Sequence, residues 1–242
     1  MSVTRDIKRV RNAGGLVQSV IKIERPQRVA LADYAEKSIR REILEGRLHP
    51  ADRLVTRELA ELLGTSVTPV REALLRLVAI GVLEASPAQS FAVPLLEPKQ
   101  YLELAEIRRA IEPLAAMHAM ENLTKQDVHE LEKILLDFRR AKRKGDISAA
   151  LSFNHAFRFR LYAAADKPVL LEIIEQLWLK IGPMFNYLFP QADVETDMPH
   201  NYDLLLSAVK DRSKEEVCNI IKKSIDKGTE IILHNLESYL NR

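Results

Sequence analysis

Apolar positions recur at helical spacing along most of this chain, and the breaks in that rhythm divide it into elements. Leu31, Tyr34, Ala35, Ser38, Ile39 and Ile43 share one face of a helix over residues 31–44, which Gly46 ends. Leu59, Ala60, Leu62 and Leu63 give residues 56–63 an apolar face. Gly64 stands where that helix must stop, because glycine takes the left-handed cap conformation without a Cβ penalty. Thr65 or Ser66 caps the next helix, and Pro69 fits its first turn. Val70, Ala73, Leu74, Leu77 and Val78 then return to helical spacing. Two short amphipathic helices joined through a glycine make a helix-turn-helix, whose second helix can enter the DNA major groove.

Val82-Leu83-Glu84-Ala85 and Phe91-Ala92-Val93 then predict two short strands, with residues 86–90 as the tip between them. Helix, helix-turn-helix and hairpin together make a winged helix over residues 29–94. Residues 95–99 form a linker, and from 100 to 242 the pattern is almost wholly helical. Thr124-Lys125-Gln126-Asp127 is a capping box with Asp in place of Glu, and Gly145 closes the helix it opens. Further helices are expected over 146–165, 167–181, 183–189, 203–210 and 213–240, with a polar loop at 191–199. The expected fold is mainly α: an N-terminal winged helix-turn-helix followed by an all-α bundle of six or seven helices.

Composition narrows the class. Of 242 residues, 47% are hydrophobic, enough for packed cores and too many for a disordered chain. No apolar run approaches the roughly 20 residues of a spanning helix, and no signal peptide is read at the N-terminus. Cys218 is the single cysteine, so no intrachain disulfide or cysteine-built zinc site can form. A cytoplasmic protein without membrane partners is expected. The net charge of +2 hides an asymmetry: residues 1–28 hold seven Lys/Arg against two acids, whereas residues 29–94 hold eight against nine. Residues 1–28 are therefore expected to be a flexible basic arm able to neutralise phosphates. No nucleophile–base pair or phosphate loop appears, so no enzyme is expected.

Residues 31–94 resemble the DNA-binding domain of the GntR family of bacterial transcription regulators. The resemblance rests on Ile43-Leu44-Glu45-Gly46-Arg47-Leu48-His49-Pro50, Arg57-Glu58-Leu59-Ala60, Leu63-Gly64-Thr65-Ser66, Thr68-Pro69-Val70-Arg71-Glu72-Ala73-Leu74, Arg76-Leu77 and Gly81-Val82-Leu83. It implies a homodimer on double-stranded operator DNA, acting as a repressor. Two positions depart from the family. Val67 stands where an arginine is usual and cannot donate a hydrogen bond, and Ala88-Gln89-Ser90 replaces a wing-tip glycine. DNA contact is therefore expected from Arg57, Ser66, Thr68, Arg71 and Gln89, with contact of Val67 to a thymine methyl as an alternative use of that position.

The helical half resembles the FCD domain of the FadR-like subfamily, through Arg108-Arg109-Ala110-Ile111-Glu112-Pro113-Leu114-Ala115-Ala116, Phe157 with Leu161-Tyr162-Ala163-Ala164-Ala165, and Leu205-Leu206-Ser207-Ala208-Val209. Many such domains hold a divalent metal through an Asp and three His. Alignment on the anchors puts Asn154, Arg158, Tyr202 and Ser224 at those four positions. Guanidinium is a cationic donor and cannot ligate a metal. The resemblance thus implies a small effector, a carboxylate metabolite, held by Arg108, Asn154, Arg158, Tyr202 and Ser224 with no metal or other cofactor. The competing reading is structural: Arg158 is buried and paired to a carboxylate of the bundle, or replaces the metal only to hold the helices together. The remaining alternatives are a larger acyl-CoA-type effector, a ligand-independent regulator of the same fold, or metal-dependent effector binding rescued by His155 and His200 through a shifted register.

Overall fold

The computed structural model describes residues 28–86, 90–188 and 201–240. The basic arm (except Arg28, which opens the first helix), the wing-tip Gln89 and the polar loop at 191–199 lie outside the described residues.

The first unit runs α1 (Arg28–Leu44), β1 (Arg53–Val55), α2 (Thr56–Leu62), α3 (Val67–Ala79), β2 (Glu84–Ser86) and β3 (Ser90–Ala92). Ala35, Ile39 and Ile43 of α1 pack with Val70, Ala73, Leu74 and Leu77 of α3, all buried. Gly64 lies just past α2 with φ +62°, the left-handed conformation expected of it. Ser66 occupies the N-cap of α3 in an extended conformation, but its hydroxyl makes no capping hydrogen bond, contrary to expectation.

The wing differs from expectation in two ways. Val82 and Leu83 are not strand residues. Their N–H groups both return to the Leu77 carbonyl, at 2.9 and 3.3 Å, closing α3 after Gly81, and their side chains are buried. The backbone groups a ladder would need are already used by the helix end. The sheet also has a third strand, β1, in the order β1-β3-β2, with Leu54 opposite Phe91 and Phe91 opposite Ala85.

The second unit comprises α4 (Pro98–Asn122), α5 (Lys125–Lys144), α6 (Ile147–Ala163), α7 (Pro168–Ile181), the 3-10 helix Gly182–Leu188, α8 (Asn201–Lys210) and α9 (Lys214–Leu240). Thr124 and Asp127 form the reciprocal capping box, and Gly145 is left-handed at φ 68°. Tyr101, Phe138, Phe157, Leu161, Tyr162 and Trp178 are the large side chains of the bundle core.

The two units touch through α1 on one side and α6, α7 and the 3-10 helix on the other. Asn186 donates to the Leu48 carbonyl at 3.3 Å, and Arg40 meets Glu175 at 3.5 Å. Gly46, with φ +70°, allows a closer approach than any side chain would: a Cβ there would lie 2.2 Å from Leu151 Cδ1. Gly182 lies against Ile43, where a Cβ would meet the Ile43 carbonyl oxygen at 3.0 Å.

Candidate functional site

The outer face of the helix-turn-helix is built by α2 and the first turns of α3. Pro69, Val70, Ala73 and Leu74 turn inward, leaving Ser66, Val67, Thr68, Arg71 and Glu72 exposed. Arg57 is exposed on α2, 3.7 Å from Glu61 across one helical turn, a contact that water screens almost completely. Four of the five residues expected to meet DNA are thus on one solvent-facing module. Its exposed charges on α2 and the start of α3 nearly cancel: Arg57 and Arg71 against Glu58, Glu61 and Glu72.

The second site lies in the bundle. Every 3.6 residues α4 turns the same stripe inward: Tyr101, Ala105, Arg108, Glu112, Ala115 and Ala119 are all buried. The stripe therefore carries an Arg–Glu pair into the core. Arg108 donates to Glu112 Oε1 at 2.6 Å, and the Trp178 indole donates to the same oxygen at 2.8 Å. Tyr162 donates to Glu112 Oε2 at 2.7 Å. The Arg108 guanidinium also lies over the Trp178 and Phe185 rings, at 5.2 and 5.5 Å.

From α6, Arg158 reaches the same place. It donates to Ser224 Oγ at 2.6 Å, Tyr162 Oη at 3.1 Å and Tyr202 Oη at 3.4 Å, and Tyr202 donates on to Asn154 Oδ1. Burial pushes the phenols of Tyr162 and Tyr202 up, so both are neutral near pH 7. Arg158 is thus held by hydroxyls. Arg108, Glu112 and Arg158 are the buried charged residues of the described chain, two cations and one anion. The centre carries one uncompensated positive charge in a place that strips it of water, which is costly. A cavity of about 50 Å³ opens beside it, lined by Arg108, Asn154, Arg158 and Ser224 with Tyr101 and Trp178 among its walls.

The structure therefore brings all five expected effector residues together, four on the cavity and Tyr202 one hydrogen bond behind it. It replaces the carboxylate partner considered for Arg158 with three hydroxyls. Glu112, Tyr162 and Trp178 complete the network, and none of the three is among the residues expected from the sequence to hold an effector. For Glu112 a signal existed, a carboxylate four residues from Arg108 inside an apolar stripe. Trp178, with Met184, Phe185 and Tyr187, reads from the sequence as pocket lining or as plain core, and the structure has it both buried and on the cavity wall.

A divalent cation does not fit these residues: the four aligned positions offer an amide, a guanidinium, a phenol and a hydroxyl. Among the described residues no three His, Cys, Asp or Glu converge as metal ligands. His155 does not line the cavity. Its ring stacks on Phe159 at 4.2 Å, its Nε2 is buried with no hydrogen-bond partner among the described residues, and burial holds its pKa down at about 4. His200 lies outside the described residues.

Comparison with known proteins joins the two sites. The model of the bacterial regulatory proteins of the gntR family matches residues 31–93, and that of the FCD domain matches residues 103–227. The chain belongs to the GntR family. This GntR regulator is 42% identical over 189 residues to the HTH-type transcriptional regulator McbR of Escherichia coli K12, covering 77% of this chain and 86% of that one. The solved structure titled E. coli McbR/YncC superposes with a TM-score of 0.80 at 38% identity, over 85% of this chain and 98% of the other. A further relative is named "Probable D-xylose utilization operon transcriptional repressor" of Paenarthrobacter nicotinovorans, 30% identical over 65% of this chain and 70% of that protein. These relatives are transcriptional regulators, not enzymes, and this GntR protein is likewise a transcriptional regulator with an FCD domain. No helix among the described residues is long and apolar enough to cross a membrane.

Proposed function

We propose that this GntR regulator is a cytoplasmic, homodimeric repressor that leaves its operator when a small carboxylate metabolite binds, without a metal, beside Arg158 and Arg108. The observation that carries the reading is the unbalanced buried charge: two guanidiniums, one carboxylate, and a cavity at their junction. A carboxylate ligand supplies the missing negative charge and can pair with a guanidinium in bidentate fashion. The cavity volume of about 50 Å³ favours a compact ligand over an acyl-CoA. Repression is supported by the D-xylose operon relative, which is named as a probable repressor. Dimerisation is supported by Ile107 and Leu114 on α4 and Val169 and Ile173 on α7, apolar side chains left exposed on two helices that pack together. A two-fold dimer presents one α3 to each half-site of a pseudo-palindrome. DNA contact is assigned to Arg57, Ser66, Thr68 and Arg71.

For release, the carboxylate must bind the operator-free form more tightly than the operator-bound form. Titrating a panel of small carboxylates against the operator complex tests this. The wild type is expected to release DNA with at least one of them, and Arg158→Ala to stay bound. An unchanged response in Arg158→Ala sinks the proposed role of that residue. Size-exclusion chromatography with light scattering tests the dimer; a monomer at micromolar concentration contradicts it.

A further inference from the structure

We infer that Val67 is a base-reading residue and that the group it reads is the 5-methyl of a thymine in the major groove. The inference rests on the operator-binding reading above. The N-terminal residues of a helix-turn-helix recognition helix face base edges, and Val67 is the first residue of α3. Its neighbours on the exposed side, Ser66, Thr68, Arg71 and Glu72, can each donate or accept a hydrogen bond. Val67 can do neither, yet 44% of its surface is exposed.

Val67 has no role in the core, because the inward face of α3 is already filled by Pro69, Val70, Ala73, Leu74 and Leu77. It gains nothing as a helix former either, since a β-branched side chain loses rotamer freedom in a helix. What remains is what it meets when α3 is seated in DNA. Major-groove edges present acceptors, donors and one apolar group, the thymine methyl. Against an acceptor or donor, valine strips water and returns no hydrogen bond, which is unfavourable. Against the methyl, its burial is a gain. Val67 and Arg71 are four residues apart on one face of the helix, about 6 Å between side-chain roots. Base pairs are stacked at about 3.4 Å. The thymine therefore lies in the same half-site as the base or phosphate that Arg71 meets.

The test begins with the full-length protein and duplexes selected from a random-sequence library. Each thymine of the selected half-site is replaced in turn by deoxyuridine, which lacks only the methyl, and affinity is read by fluorescence anisotropy. For the wild type, one thymine per half-site is expected to lose about fourfold in affinity, the value of one buried methyl group. In Val67→Ser and Val67→Asn, which change an exposed side chain and are checked for an unaltered melting temperature, that effect is expected to disappear. Deoxyuridine effects elsewhere in the site are expected to stay as in the wild type. A methyl effect that survives in both variants overturns the inference, as does a wild type indifferent to every methyl. A library from which no duplex is enriched overturns the operator-binding reading itself, and this inference with it.

Discussion

Replacing Glu112 with glutamine tests the charge balance of the bundle directly. Glu112 is fully buried and accepts from three donors: Arg108 at 2.6 Å, Tyr162 at 2.7 Å and Trp178 at 2.8 Å. Glutamine is nearly the same size but turns an amide nitrogen toward at least one of those donors. It also leaves two buried guanidiniums with no carboxylate. Removing one partner of a buried ion pair costs about 3–5 kcal/mol. In a chain of this length that lowers the melting temperature by roughly 6–20 °C. Arg158→Met is the informative contrast. It removes the charge that no carboxylate balances, while Tyr162 keeps Glu112 and Tyr202 keeps Asn154. Its cost is expected to stay within about 2 kcal/mol, the lost hydroxyl contacts being offset by the relief of a desolvated charge. Thermal unfolding followed by far-UV circular dichroism, at pH 7 in a buffer free of small carboxylates, reads both. If Arg158→Met is the more damaging substitution, the charge accounting is wrong and Arg158 is a structural strut.

Three further outcomes are expected. Arg71→Ala removes an exposed guanidinium from α3 and should weaken specific operator binding by roughly 5- to 150-fold with no change in melting temperature; operator affinity equal to wild type refutes the contact. Gly46→Ala places a Cβ on Leu151 in a left-handed backbone, and should cost roughly 1–3 kcal/mol, measurable by urea unfolding; a neutral substitution means the two units are not seated as described. The third concerns pH. His155 is less basic in the fold than its ordinary 6.5, pushed to about 4 by burial, so the unfolded chain takes up a proton first as pH falls. Its contribution is therefore fully present above about 6.5 and lost progressively toward about 4. In His155→Gln the unfolding midpoint should fall less between pH 7 and pH 5 than in the wild type, and equal slopes count against the assignment.

Legibility followed the range of the physical cause. Local causes were readable: left-handed glycines at 64 and 145, the Thr124–Asp127 capping box and the apolar stripes of the helices all appear as expected. The wing was read less well, because its elements depend on distant partners. Strand β1 is three residues with one buried side chain, too short to show a period, and exists because β3 pairs with it. Val82 and Leu83 have strand-like side chains, yet the end of α3 takes their N–H groups first. The same division holds in the bundle. Arg158, Asn154, Tyr202 and Ser224 were found through the family pattern, and Arg108 with them. The fact that decides their chemistry, one carboxylate shared by Arg108, Tyr162 and Trp178, is a meeting of three helices that no local pattern encodes.

The 3-10 helix Gly182–Leu188 belongs to both halves of the molecule: Phe185 and Leu188 wall the cavity, while Gly182 and Asn186 lie against Ile43 and Leu48 of the DNA-binding unit. The two sets of contacts alternate along its seven residues, so a change in its winding would disturb the wall of the arginine-lined cavity and the seat of the DNA-binding unit together.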